Sequence, residues 1–335
     1  MSFFKYFLLV LAFSCHLVFS QTNYSKIEDL YKNKKYNEVI SECNQELAKN
    51  SQNVEVLVFK SKAIGGLGNY SQAYDVCKEA LSINADHKEA LEEKAYLLDI
   101  LGDFKNSLKT YDKILALYPN NDLAKAHAAM VKVSLQNYNE AYDDLKLLAK
   151  KGSPVYEVYL NKGLLEGHFG DFKTSIASFT KAISINNEDE RAYFNRGNTY
   201  YMLGKFEEAL LDLNKTILLN PQDYEAYIIR AHVYINLKQE QKAIDDCTHV
   251  LEHDKNNIDA LITRGISYYH IKKFKPSIAD FDLVIHLQTN NVEALYYRAL
   301  SKKELNDSTL CYDLQQASDL GHIPSKDLQK SLCKK

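Results

Sequence analysis

The stretch Ala192-Tyr-Phe-Asn-Arg-Gly-Asn-Thr-Tyr-Tyr-Met-Leu-Gly-Lys-Phe-Glu-Glu-Ala-Leu-Leu-Asp-Leu-Asn-Lys-Thr-Ile-Leu-Leu-Asn-Pro221 decides the architecture. Bulky side chains stand at Tyr193, Tyr200 and Leu203, with Gly197 on the same stripe, which is helical spacing. Gly204-Lys205 interrupts that stripe. A second one runs through Phe206, Ala209, Leu210, Leu213, Ile217 and Leu218 until Asn220-Pro221 stops it, because the residue before a proline is pushed out of the helical region. The segment therefore reads as two helices joined by a short turn.

The same pattern recurs along the chain. Steps of 34 residues from Tyr36 meet Tyr70, Phe104, Tyr138, Phe172, Phe206, Glu240, Phe274 and Ser308, so seven of nine places are aromatic. Three residues after each lies a mostly small side chain: Val39, Ala73, Ser107, Ala141, Ser175, Ala209, Ala243, Ser277 and Cys311. A second small series precedes it by twelve: Ile27, Ser61, Ala95, Ala129, Gly163, Gly197, Ala231, Gly265 and Ala299. Two small columns in one period mean that two helices cross closely in every unit, since helix axes reach their shortest separation only where the crossing side chains are small. Leu117-Tyr118-Pro119 and Gly152-Ser153-Pro154 close other units, and Pro276 falls in the first turn of a second helix, where its missing N–H costs little.

Composition agrees. With 46% hydrophobic and 25% charged residues the chain is globular, which excludes disorder. A length of 335 alone suggests two ordinary domains, but only 5 Pro and 12 Gly punctuate it, as in a helical protein. There are 24 Tyr and 14 Phe and no Trp. A net charge of −3 gives no electrostatic basis for binding nucleic acid.

Residues 1–20 differ from the rest. Lys5 is the only Lys, Arg, Asp or Glu before Lys26, and the apolar run from Tyr6 to Val18 is too short to span a bilayer. A lone basic residue, that run, and the small Ser20 predict a secretory signal peptide cut near Ser20/Gln21. An uncleaved anchor and a lipid-attachment site at Cys15 are the alternatives. No other segment is apolar enough for a membrane span, so the mature chain is expected to be exported, periplasmic or secreted.

The run Tyr193…Gly197…Tyr200…Gly204…Phe206…Ala209…Pro221 resembles the tetratricopeptide repeat, a helix–turn–helix unit of 34 residues. The resemblance covers nearly the whole mature chain. Tyr or Leu mostly fills the place where the family often has Trp, and Lys125 is an outlier there. What the resemblance implies is an all-α, right-handed superhelical solenoid of about nine repeats over residues 21–321, the first and last atypical, with 322–335 as a C-terminal capping helix. The last unit is one residue short in its turn. First helices would line a concave groove that holds another protein or a peptide.

Carried onto this chain, the groove stripe gives an acidic early wall, Glu55, Glu89, Glu92, Glu93 and Asp99, with Phe59, Lys62 and Tyr96. Later units supply Phe194, Asn195, Asn198, Tyr201, His232, Tyr269, His270 and Tyr297 as the candidate partner-binding residues, among isoleucines 228, 229, 235, 262 and 266 and beside Tyr296. Packing between repeats is the competing role for all of them. The family's carboxylate clamp lacks its cations here, since Phe194, Ile228 and Ile229 stand where they are needed. The column Arg196, Arg230, Arg264 and Arg298 is expected to pair with acids such as Asp212 and Asp246 rather than with a ligand, and Glu157, Glu225, Asp259 and Glu293 to complement helix N-termini.

No catalytic constellation, cofactor site or metal site is predicted. Cys43, Cys77 and Cys247 share a phase with Tyr111, Leu145, Phe179, Leu213 and Phe281 and read as core thiols; the odd count in an exported chain leaves Cys311 and Cys333 as the pair open to a disulfide. His249 and His253, four apart, have no third metal ligand at suitable spacing, and Gly65-Gly66-Leu67-Gly68 is a helix–helix turn rather than a phosphate loop. The expected function is a non-enzymatic interaction scaffold in an envelope-associated setting. Alternatives are a co-chaperone-like adaptor in a secretory lumen, for which Asn23, Asn69, Asn214 and Asn306 match the glycan-acceptor pattern, and an enzyme using the groove as a substrate cleft.

Overall fold

The computed structural model describes residues 24–333, and all regular structure among them is helical. The signal peptide expected at 1–20 lies outside the described residues. The chain forms two compact units, residues 1–161 and 162–335, and the division falls inside a helix. The first unit contains α1 (24–32), α2 (Tyr36–Lys49), α3 (Val54–Gly66), α4 (Tyr70–Ile83), α5 (Lys88–Ile100), α6 (Phe104–Leu117), α7 (Asp122–Ser134), α8 (Tyr138–Lys150) and the start of α9 (Tyr156–His168). The second holds the rest of α9, then α10 (Phe172–Ile185), α11 (Glu190–Met202), α12 (Phe206–Leu219), α13 (Tyr224–Asn236), α14 (Glu240–His253), α15 (Ile258–His270), α16 (Phe274–Leu287), α17 (Val292–Glu304), α18 (Leu310–Asp319) and α19 (Ile323–Leu332). In each unit, odd- and even-numbered helices pair in tandem and each pair packs on the next.

Local chemistry sets the helix ends. First helices start on side chains that accept a backbone N–H: Asn53 from Val56, Asn121 from Ala124, Asp223 from Ala226, Asn257 from Ala260 and Asn291 from Ala294, a column of period 34. They end with a residue at positive φ, again every 34 residues: Gly204 at 71° and Lys238 at 56° are two of nine. There the N–H of Lys205 reaches back to the carbonyl of Tyr200 at 2.9 Å and satisfies the last turn.

The small columns meet as expected. Ala73, Ala141, Ala209 and Ala243 are fully buried, and where the second helix carries serine its hydroxyl donates to the carbonyl twelve residues earlier, Ser107 to Ala95 at 2.7 Å and Ser277 to Gly265 at 2.9 Å. In several pairs, residues sixteen apart also compensate in size. A Cβ on Gly163 would lie 2.7 Å from the Phe179 ring and one on Gly265 2.8 Å from Phe281, whereas the larger Ile27 faces the smaller place held by Cys43. Cys43, Cys77 and Cys247 are core thiols; burial pushes the first two up to about 12 and the third higher still.

The shortened last turn rotates α18 by one residue. Leu310 and Leu314 take the packing positions, so Cys311 leaves the small column and bonds Cys333 at the end of α19, with Cα atoms 5.8 Å apart.

Candidate functional site

The site is built on the first helices of the second unit. α11 packs on α13, α13 on α15 and α15 on α17, so their outward stripes lie side by side. The arginine column does not serve this surface. Each guanidinium grips an aspartate of its own second helix in a two-bonded fork: Arg196 with Asp212 at 2.7 and 2.8 Å, Arg230 with Asp246 at 2.8 and 2.6 Å, Arg264 with Asp280 at 2.9 and 2.7 Å, and Arg298 with Asp313 at 2.9 and 2.6 Å. The remaining Nη1 donates to the preceding repeat's second helix, at Thr180, Asn214, Thr248 and Asp282 respectively. The carboxylates are nearly buried, so these forks tie helix to helix and repeat to repeat.

Two open cavities follow the first-helix stripe. One of about 400 Å³ is lined by Tyr201 of α11, His232, Ile235 and Asn236 of α13, Asp259, Ile262, Thr263, Ile266 and His270 of α15, and Glu293 and Tyr297 of α17. The next, of about 660 Å³, shares Ile235, Asn236 and His270 and adds Tyr269, Phe274, Glu304, Glu240, Lys238 and Lys272. The structure thus brings together Tyr201, His232, His270 and Tyr297 of the expected set, with Tyr269 next door. The other three stand apart from both cavities. Phe194 packs against the Ala209, Leu213, Ala226 and Val233 core, the Asn195 amide donates to the carbonyl of Arg191 at 2.7 Å, and Asn198 is half-buried.

His232 sits 6.1 Å, centroid to centroid, from the Tyr201 ring, and its Nε2 lies 2.9 Å from the Thr263 hydroxyl. Burial lowers its pKa against the pull of Asp259, so the imidazole is neutral at ordinary pH. Tyr269 and Tyr297 meet edge to face at 5.9 Å, and Tyr297 also stacks on Phe281. Burial raises both phenols, helped by Glu304 for Tyr269 and by Glu293 for Tyr297. The Glu293 carboxyl is raised by burial and by the charge of Asp259.

Asn236, Asp259, Thr263 and Glu293 are the residues lining the 400 Å³ cavity that the expected groove stripe left out. Asp259 and Glu293 share one repeat phase and stand four residues before Thr263 and Tyr297, a spacing that puts them on the groove stripe as well as at helix ends. In the first unit, Glu93 is not on an acidic wall but buried, with the Ser61 hydroxyl donating to it at 3.1 Å. His249 and His253 lie against Tyr227 and Tyr224, with ring centroids 4.6 and 4.3 Å apart.

Family models for the tetratricopeptide repeat match residues 190–223, which hold α11 and α12, and residues 89–121 and 224–257; a TPR repeat model matches 170–204. The chain is a tetratricopeptide-repeat protein. Among solved structures it is similar to the APC/C hetero-tetramer Cut9–Hcn1, with a TM-score of 0.60 and 15% identity over 89% of this chain and 59% of that chain. It is also similar to pilF of Pseudomonas aeruginosa, with a TM-score of 0.53 and 15% identity over 62% of this chain and 94% of that one. At such identities the likeness concerns the fold. No curated protein sequence matches the chain. As a tetratricopeptide-repeat protein it has the fold of a protein–protein interaction scaffold, and no helix among the described residues is long and apolar enough to cross a membrane.

Proposed function

We propose that this tetratricopeptide-repeat protein is a non-enzymatic scaffold, exported from the cytoplasm, that binds an extended peptide or a partner helix on the first-helix face of residues 162–335. The observation that carries the reading is the alignment of Tyr201, His232, His270 and Tyr297, from four successive first helices, around an open cavity of about 400 Å³. Aromatic rings give a partner large contact area at small entropic cost, and Asn236 and the carboxylates offer hydrogen bonds to a peptide backbone. Export is supported by the character of residues 1–20 and by the Cys311–Cys333 bond, since disulfides persist in oxidising compartments.

Photo-crosslinking tests the binding face. A benzoylphenylalanine at Tyr201 should capture a partner in living cells of the source organism, and one at the exposed Leu211 of α12 should not. Equal capture at both positions would remove the assignment. For export, the amino terminus of the mature protein should be Gln21, and recovery of a chain beginning at Met1 would overturn it.

A further inference from the structure

The 400 Å³ cavity has an unbalanced charge. Its lining contains two carboxylates, Asp259 and Glu293, and neither lysine nor arginine. The four aspartates 212, 246, 280 and 313 in the same repeats are each held by an arginine, whereas Asp259 and Glu293 form no ion pair within 4.0 Å among the described residues. His232 does not compensate them, because its Nε2 is engaged with the Thr263 hydroxyl and the ring is buried. Both acids remain exposed to solvent, and partial burial together with the charge of Asp259 raises Glu293 against the pull of His322.

The walls are of a different kind. Tyr201 and Tyr297 stand on the two outer first helices, α11 and α17, and Ile262 and Ile266 form an apolar floor from α15. A long side chain with methylene groups and a cationic tip satisfies each surface at once: the stem covers the isoleucines, the tip meets the carboxylates, and the aromatic faces add cation–π attraction. A bare metal ion leaves the apolar floor unused, and a neutral apolar side chain leaves the carboxylates desolvated without a partner.

We propose that this cavity is a subsite for a lysine or arginine side chain of an extended peptide bound along the first-helix face, a proposal that rests on the peptide-binding reading above. The occupant is a basic peptide segment, selected by charge complementarity with Asp259 and Glu293 and positioned by Tyr201 and Tyr297.

Selection from a random peptide library on the full chain tests it. Peptides enriched on the wild type should carry Lys or Arg at one shared position, and replacing that residue with norleucine should weaken binding about tenfold or more. The variant Asp259→Asn/Glu293→Gln should bind the basic and norleucine peptides alike. Enriched peptides with no basic position, or a norleucine analogue that binds the wild type equally well, would overturn the subsite while Tyr201→Ala still weakening them keeps the groove. No enrichment at all, or enriched peptides indifferent to Tyr201→Ala, would overturn the groove reading and the subsite with it. Should the double variant fail to fold, the wild type alone decides: affinity for the basic peptide should fall, and that for the norleucine analogue hold, as salt rises from roughly 50 to 500 mM.

Discussion

At single residues, the turn that ends each first helix isolates backbone cost from packing. Gly204 has φ of 71° and open space where a Cβ would sit, so Gly204→Ala should cost about 1 kcal/mol through conformation alone. Lys238 holds the same position at 56°, and Lys238→Gly should gain about 0.5–1 kcal/mol, both read from urea unfolding. A loss on Lys238→Gly would refute the strain argument. Glu93 makes a second test. Burial raises its carboxyl above the ordinary 4.5, against the Ser61 hydrogen bond and Lys62, so the folded chain holds the proton more tightly than the unfolded one. Its stabilising contribution is present below about pH 4.5 and is lost as pH rises through the raised value. Glu93→Gln should therefore be more stable than the wild type near pH 8 and equal to it near pH 4. A gain of the same size at both would show that charge is not the cause.

Between elements, the quantity that matters is fit at the crossing of paired helices. Gly265→Ala should destabilise by about 1–3 kcal/mol, because the added methyl enters the Phe281 ring and both helices are fixed there. Phe281→Leu should lose about 1–2 kcal/mol alone, yet restore at least about 1 kcal/mol when combined with Gly265→Ala. Simple additivity in that cycle would mean that the two side chains do not share one space. The arginine forks respond to charge instead. Asp280→Asn leaves Arg264 largely buried without a counter-charge and should cost about 2–3 kcal/mol in thermal unfolding. Much of this level was legible in the sequence, since small columns and the arginine column recur in fixed phase. Glu93 was misplaced because a first helix in a stack has neighbours on three sides, and one period cannot tell a stripe that meets the next repeat from one that meets a ligand. Phe194 and Tyr201 show this on one helix: both pack against the same core cluster, but only Tyr201 also lines the cavity.

At the scale of the whole molecule, the contacts within each unit run between helices adjacent or next but one along the chain, as in other one-dimensional arrays. Damage should therefore stay local. Leu97→Ala removes a fully buried side chain and should speed amide exchange in α5 and its neighbours by the equivalent of about 2–5 kcal/mol, while leaving α15 and α16 unchanged. Uniform loss over both units would contradict nearest-neighbour stability. At the carboxyl end, Cys311→Ser/Cys333→Ser should release α19 first, at a cost near 3 kcal/mol for a loop of this length. The nine-fold period made the architecture readable before any coordinates. Asp259 and Glu293 were visible too, but their meeting over one cavity depends on how first helices lean together, a distance between repeats that no spacing along the chain encodes.

The size compensation at positions sixteen apart has a further consequence. Bulk and its absence are balanced inside several helix pairs, Gly265 with Phe281 and Ile27 with Cys43, while the arginine links to the preceding pair accept a hydroxyl, an amide or a carboxylate. A gene for such a chain can therefore gain, lose or exchange whole pairs at little penalty, but a crossover that falls inside a pair joins a helix to a partner cut for another. Recombination is free between pairs and punished within them, so the pair, not the helix, is the piece in which such a protein changes length.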